Sequence, residues 1–233
     1  MNEFKKLEGK KIALIGGAGF IGHNLAVHLQ SLGAKVDIID GMQVNNLLSL
    51  VDNIDDLPYP ELSRAIINER TQLLKSSKIN IRVQDARDYH ALSKLLTDIK
   101  PNVIIQLAAV SHANRSNKDP YSTFDHSFRT LENSLDWARS KDSNVEQFIF
   151  FSSSMVYGNF KGDQVDEDSR CEPLGIYGAL KYGSEKIIIG YKQTFGLPYT
   201  IIRPSALYGE RCISRRVGQI FIENSLMGKE IVM

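Results

Sequence analysis

Tyr177 and Lys181 stand four positions apart in Tyr177-Gly-Ala-Leu-Lys181. On a helix, residues at that spacing share a face, so a phenol and an ammonium would point the same way. A free tyrosine has a pKa near 10, and bringing it to roughly 7 takes about 4 kcal/mol of preferential stabilisation of the phenolate. A neighbouring ammonium in a dry site supplies stabilisation of that kind. The pair is therefore a candidate general base, a phenolate able to take a proton from a substrate hydroxyl. Spacing alone does not select it: nine tyrosines and sixteen lysines in 233 residues give roughly 0.6 such pairs by chance. Tyr182 with Lys186 is a second one. The two tyrosines lie about 140° apart around a helix, so the two pairs cannot serve one site.

A second chemical group lies upstream, where the apolar run Phe148 to Phe151 ends in Ser152-Ser153-Ser154. If that run is a strand of an open sheet, its carboxyl end delivers three hydroxyls to the ligand crevice. Ser153 could hold a reacting oxygen and share its proton with Tyr177, whereas Ser152 reads as a residue that satisfies strand-end backbone groups.

These side chains need a scaffold, and the sequence predicts one. Short continuous apolar runs recur at Ile12 to Ile15, Val36 to Ile39, Ile79 to Val83, Val103 to Leu107, Phe148 to Phe151 and Tyr199 to Ile202. Such runs suit strands covered on both faces. Helical patterns fill the intervals at 21–32, 89–99, 123–140, 178–195 and 213–227. Alternation of this kind predicts an α/β fold, a doubly wound parallel sheet with helices on both faces. One connection is long. Asp40 to Ile79 holds the turn-rich stretch Asp52 to Pro60 and a helix from Glu61 to Ser76, which reads as an extra packed helix or as a functional loop.

Between the first strand and the first helix lies Gly16-Gly-Ala-Gly-Phe-Ile-Gly22. Glycines there allow a tight turn, close approach of a pyrophosphate and tight helix packing, and the helix N-terminus then faces the anion. Gly16, Gly19, Phe20, Ile21 and Gly22 are thus candidate cofactor residues. Asp40 ends the second strand, where a carboxylate would accept hydrogen bonds from an adenosine ribose and repel a 2'-phosphate. No Arg or Lys follows it closely, which favours NAD over NADP. A simple strand-end turn residue is the other reading of Asp40.

Composition bounds the remainder. A formal charge of +1 and 42% hydrophobic residues describe an ordinary soluble chain of one large domain, or one and a fraction. There is no electrostatic footprint for nucleic acid or an acidic membrane, and Arg215-Arg216 reads as a solvated helix face. Cys171 and Cys212 are too few for a disulfide framework, which fits a reducing cytoplasm, and no metal-ligand spacing is present. The first apolar run has four residues, so neither a signal peptide nor a membrane span is expected there.

Four motifs taken together, the glycine turn, Ser152-Ser-Ser-Met-Val-Tyr-Gly158, Tyr177-Gly-Ala-Leu-Lys181 and Ile202-Arg-Pro-Ser-Ala-Leu-Tyr-Gly209, resemble the extended short-chain dehydrogenase/reductase family. Within it the chain is most similar to nucleotide-sugar epimerases and dehydratases, UDP-glucose and UDP-glucuronate 4-epimerases in particular. The resemblance implies a Rossmann-like NAD-binding domain over residues 1–204 and only the start of a smaller C-terminal substrate domain over 205–233, with the last residues entering a strand. It selects Tyr177, which follows Pro173 and precedes Glu185, and leaves Tyr182 as a packing or interface residue. It implies Ser153, Tyr177 and Lys181 as the catalytic set. Asp85 and Ala86 would border the adenine, with Leu107, Ala108, Ala109, Ser152 and Pro204 along the dinucleotide path. Ser153, Ser154 and Arg211 would meet the substrate, Arg211 at its diphosphate, although a surface role for Arg211 is the other reading. The implied activity is transient hydride transfer at a sugar C4 with NAD regenerated each cycle, in a cytoplasmic homodimer formed through 123–140 and 178–195 and serving surface polysaccharide synthesis. Ser154-Met155 stands where similar dehydratases carry Asp-Glu, so epimerisation or simple redox is favoured over elimination. Ser127 and Ala206 fall where many members have Asn. A reductase or dehydrogenase, a dehydratase of another sugar, and a non-catalytic dinucleotide-binding protein are the alternatives.

Overall fold

The computed structural model describes residues 7–44, 46–52, 59–110, 113–160, 162, 164–213 and 217–231. Its centre is a six-stranded parallel sheet of β1 (Lys11–Ile15), β2 (Lys35–Asp40), β3 (Asn80–Val83), β4 (Val103–Gln106), β5 (Gln147–Phe151) and β6 (Tyr199–Ile202). The spatial order is β3-β2-β1-β4-β5-β6. The chain reverses its direction of winding between β1 and β4, which opens a crevice at the carboxyl ends of those strands.

The continuous apolar character of β1 has a direct cause in its two-sided burial. Ile12 and Leu14 face a cluster containing Ala26, Val36, Ile38, Leu74 and Ile105. Ala13 and Ile15 face the other layer, with Leu92, Leu96, Leu135, Phe148, Phe150 and Ile188.

The helices are α1 (Phe20–Ser31), α2 (Leu47–Asp52), α3 (Pro60–Ser76), α4 (Tyr89–Ile99), α5 (Ala113–Lys118), α6 (Pro120–Phe124), α7 (Thr130–Ala138), α8 (Gly175–Phe195) and α9 (Val217–Leu226). In α4 the local sequence accounts for the N-terminal end and the buried face. The Asp88 side chain accepts from the Ala91 N–H at 3.0 Å as an N-cap, an interaction typically worth about 1 kcal/mol. Leu92, Leu96 and Ile99 then recur at helical spacing and are buried. Across from them Trp137 of α7 is buried and donates its indole N–H to Thr97 Oγ1 at 3.1 Å.

The helix expected at 123–140 is three pieces: α6, a π-helical turn at Asp125–Arg129, and α7. Side chains compete for its carbonyls. Thr130 Oγ1 donates to His126 O at 2.9 Å, and His126 Nδ1 meets Ser122 O at 2.9 Å, which favours a widened turn. The helix expected from residue 178 begins a turn earlier at Gly175. The expected helix at 61–76 is α3, and α2 precedes it unforeseen. Most of the turn-rich stretch Asp52 to Pro60 lies outside the described residues. Of the strand expected at 229–233, residues 229–231 carry none and 232–233 lie outside the described residues.

Candidate active site

The crevice is a cavity of about 430 Å³. Gly16, Gly19, Phe20, Ile21 and Gly22 line it from the β1–α1 turn, and Asp40, Asp85 and Ala86 from the β2 and β3 side. Leu107, Ala108 and Ala109 follow β4 at the centre, while Ser152, Ser153, Ser154, Tyr177, Lys181 and Pro204 lie on the β5 and β6 side. Every cofactor residue expected from the sequence therefore faces one space.

The glycine turn is built for close approach. A Cβ on Gly22 would lie 2.3 Å from Gly17 O, so only glycine lets α1 pack on the turn. Gly19 differs: a Cβ there would meet only Gly16 O, at 3.8 Å. Protein packing does not require that glycine, and the room it leaves is cavity. Gly19 also caps α1 without a side-chain hydrogen bond, and the first turn of α1 holds no acidic residue. An anion such as a pyrophosphate fits both features.

Two carboxylates mark the β2–β3 side. Asp40 Oδ2 accepts from the Ala18 N–H at 2.9 Å and Oδ1 from the Met42 N–H at 2.7 Å. Burial pushes its pKa above the usual range, while the two amides and the Arg70 charge act against that. Burial also acts to raise Asp85, but hydrogen bonds from Arg87 and Gln43 more than offset it and hold the group at about 2. Arg87 reaches Asp85 Oδ2 through Nη2 at 2.6 Å and Asp125 Oδ2 through Nη1 at 2.8 Å, tying the β3 end to the π-helical turn.

On the opposite side, Lys181 Nζ donates to Phe151 O at 2.6 Å and lies 4.8 Å from the Phe150 ring centroid and 6.0 Å from that of Tyr177. Burial lowers its pKa to about 8, with the Glu185 charge opposing. Ser153 is buried, and its Oγ accepts from the Met155 N–H at 3.2 Å, capping a 3-10 turn at Ser154–Tyr157. That turn meets α8 at Gly178, where a Cβ would lie 2.8 Å from Met155 O. The missing side chain beside Tyr177 thus lets the phenol and the Ser153 loop share one wall.

Beneath them runs a buried polar brace. Ser152 Oγ donates to Glu185 Oε1 at 2.5 Å, and Arg203 reaches Glu185 with Nε at 3.0 Å and Nη2 at 2.8 Å. Arg203 Nη1 continues to the Tyr157 hydroxyl at 3.0 Å. One carboxylate thereby joins β5, the 3-10 turn, α8 and the end of β6.

One expected placement differs, and two residues that the sequence left outside the catalytic set lie off the cavity. Arg211 does not line the cavity; it turns to α1 and α3, binding His23, Asn24 and Glu69. Tyr182 lies off the cavity with Lys186 Nζ 4.8 Å from its ring centroid. Ser127 is turned away, its Oγ accepting from the Val110 N–H at 3.2 Å, and His126 and Thr130 face the cavity. Sequence reasoning missed these two and also Arg70, which lines the cavity from α3. Among the described residues no His, Cys, Asp and Glu group could hold a metal, and no helix is long and apolar enough to cross a membrane.

Residues 12–233 match the NAD dependent epimerase/dehydratase family. An uncharacterized UDP-glucose epimerase of Bacillus subtilis is 30% identical over 86% of this chain and 58% of its own length. A dTDP-glucose 4,6-dehydratase of Escherichia coli is 26% identical over 95% of this chain and 61% of its own. Among solved structures, a UDP-glucuronic acid 4-epimerase of Bacillus cereus in complex with UDP-glucuronic acid and NAD superposes with a TM-score of 0.77 at 26% identity, covering 94% of this chain and 64% of that one. The chain spans about three fifths of the length of these relatives.

Proposed function

The chain belongs to the NAD dependent epimerase/dehydratase family, and from that premise we propose that it acts as an NAD-dependent nucleotide-sugar 4-epimerase with Tyr177 as the base. One observation carries this reading: the glycine turn and Asp40 share a single cavity with Ser153, Tyr177 and Lys181. NAD fits the residues present. The glycine turn and the α1 N-terminus would hold its pyrophosphate, Asp40 its adenosine ribose and Lys181 its nicotinamide ribose. When bound, NAD supplies the reversible hydride acceptance that the chain's own side chains lack.

The protein's part is proton transfer and positioning. Tyr177 takes the proton of the sugar C4 hydroxyl and later returns it. Lys181, desolvated against Phe150 and anchored on Phe151 O, places its charge where it favours the phenolate. Ser153 orients the reacting oxygen, and the Glu185–Arg203 brace keeps the serine loop and α8 in register. Eliminating water would need a further acid and base. Ser154 and Met155, the residues next to Ser153 that line the cavity, supply neither, so epimerisation is favoured over dehydration. A UDP-sugar is the expected substrate, and a cytoplasmic homodimer through α7 and α8 belongs to the same proposal.

Incubation of the purified protein, in the longest form its gene encodes, with UDP-glucose, UDP-glucuronate and their GDP and dTDP counterparts tests this. NMR should show inversion at C4 with no added oxidant. Absence of turnover on every sugar, or net consumption of added NADH, overturns it.

A further inference from the structure

The long connection between β2 and β3 carries α3, and α3 sends one side chain back to the cavity. Arg70 is 1% exposed, lines the cavity and lies in the field of Asp40. Its Nε and Nη2 both donate to one acceptor, the Arg211 carbonyl, at 2.8 and 2.5 Å. Arg211 belongs to the segment after β6 whose Pro204, Ser205, Ala206, Leu207 and Ile213 line the same cavity. Its backbone sits at φ 61°, a left-handed conformation that a side chain disfavours and that surrounding contacts must hold.

Those contacts come from the Arg211 side chain. Nη1 reaches Glu69 Oε1 of α3 at 3.2 Å, Nη2 reaches Asn24 Oδ1 at 3.1 Å, and Nε donates to His23 Nε2 at 2.9 Å. His23 Nδ1 in turn meets Gly19 O at 2.9 Å. A carbonyl only accepts, so Nδ1 carries the proton and Nε2 is the acceptor that Arg211 requires. The chain of contacts thus runs from α3 through the post-β6 segment to the carbonyl of the glycine turn.

We propose that α3 is a retention clasp for the dinucleotide, in which Arg70 and Arg211 are positioning residues that fasten the post-β6 segment across the adenosine side of the cavity. This rests on the cavity being the dinucleotide site. With the clasp closed, the segment from Pro204 to Ile213 cannot lift away unless the fork from Arg70 to the Arg211 carbonyl breaks. An enzyme that regenerates its cofactor in each cycle gains from such slow release.

Two variants test the clasp. Arg70→Met removes the fork, and Arg211→Ala removes the bonds to His23, Asn24 and Glu69 while leaving Arg70 in place. NAD-loaded proteins are mixed with excess labelled NAD and exchange is followed. Binding of AMP and of nicotinamide mononucleotide is measured by calorimetry. Both variants should exchange about 10 to 100 times faster, the scale of losing charge-assisted hydrogen bonds. AMP affinity should fall by the same order, and nicotinamide mononucleotide affinity should stay within about twofold. A merely structural role would weaken both fragments alike. Unchanged exchange in a folded variant, or equal losses for the two fragments, overturns the clasp. If Arg70→Met fails to fold, Arg211→Ala decides by the same criteria. A wild-type protein that binds no dinucleotide overturns the cavity assignment and the clasp together, whereas NAD binding without epimerase activity overturns only the proposed reaction.

Discussion

Lowering the pH from 7 to 4 should cost this protein about 3 kcal/mol through one side chain. His23 is fully buried on α1. Burial brings its pKa from 6.5 to about 4, and the Arg70 and Arg211 charges push the same way against the Gly19 carbonyl. At about 1.4 kcal/mol per tenfold change in proton affinity, the gap corresponds to about 3.4 kcal/mol. The sign follows from which state holds more protons. Between pH 4 and 6.5 the unfolded chain binds a proton that folded His23 refuses, so stability rises with pH across that window. The contribution is complete above pH 6.5, is lost as pH falls toward 4 and levels off below. Urea denaturation at half-unit intervals, on the wild type and His23→Gln, isolates it. Carboxylates common to both proteins cancel in the difference, including Asp40, whose raised pKa contributes with the opposite sign. The wild type should lose about 3 kcal/mol more than the variant between pH 7 and 4. Parallel curves would refute the neutral, Arg211-accepting assignment of His23.

Further outcomes follow from the site. Tyr177→Phe should lower kcat by about 10²- to 10⁴-fold while the purified protein still holds NAD, read by NMR turnover and by dinucleotide content. Gly178→Ala places a methyl 2.8 Å from Met155 O, so the 3-10 turn and α8 must separate; a loss of about 1 to 3 kcal/mol in urea should accompany a larger loss of turnover. Glu185→Gln leaves Arg203 without its countercharge at a residue only 1% exposed. A destabilisation of about 3 kcal/mol or more is expected, and an unchanged denaturation midpoint would show that the brace is not under load.

The sheet and most of the site were legible because they rest on local patterns. Two-sided burial makes β1 and β5 continuous apolar runs, and the glycine turn announces the close approach that Gly22 makes to Gly17. Tyr177 could be separated from Tyr182 only by register with other motifs, since both are sound helical pairs. What stayed hidden depends on contacts remote in sequence. Arg70 lies thirty residues beyond Asp40, and no spacing rule brings it back; NAD had been favoured partly because no cation followed Asp40. Arg211 was expected at a diphosphate, but its left-handed backbone and the acceptors on α1 and α3 turn it elsewhere. Ser127 falls where many relatives have Asn, yet its hydroxyl is turned to the Val110 amide. The π-helical turn at Asp125–Arg129 sets a different register and presents His126 instead, and its trigger is side-chain hydrogen bonding that residue types alone do not specify.

The indole packed between α7 and α4 has a practical consequence. Trp137 is the chain's sole tryptophan, it is 3% exposed, and it does not line the cavity. Its ultraviolet emission therefore senses the polarity around one helix pair. Denaturation should shift that emission to the red as water reaches the ring. The wavelength of its natural fluorescence thus provides a label-free optical gauge of folding.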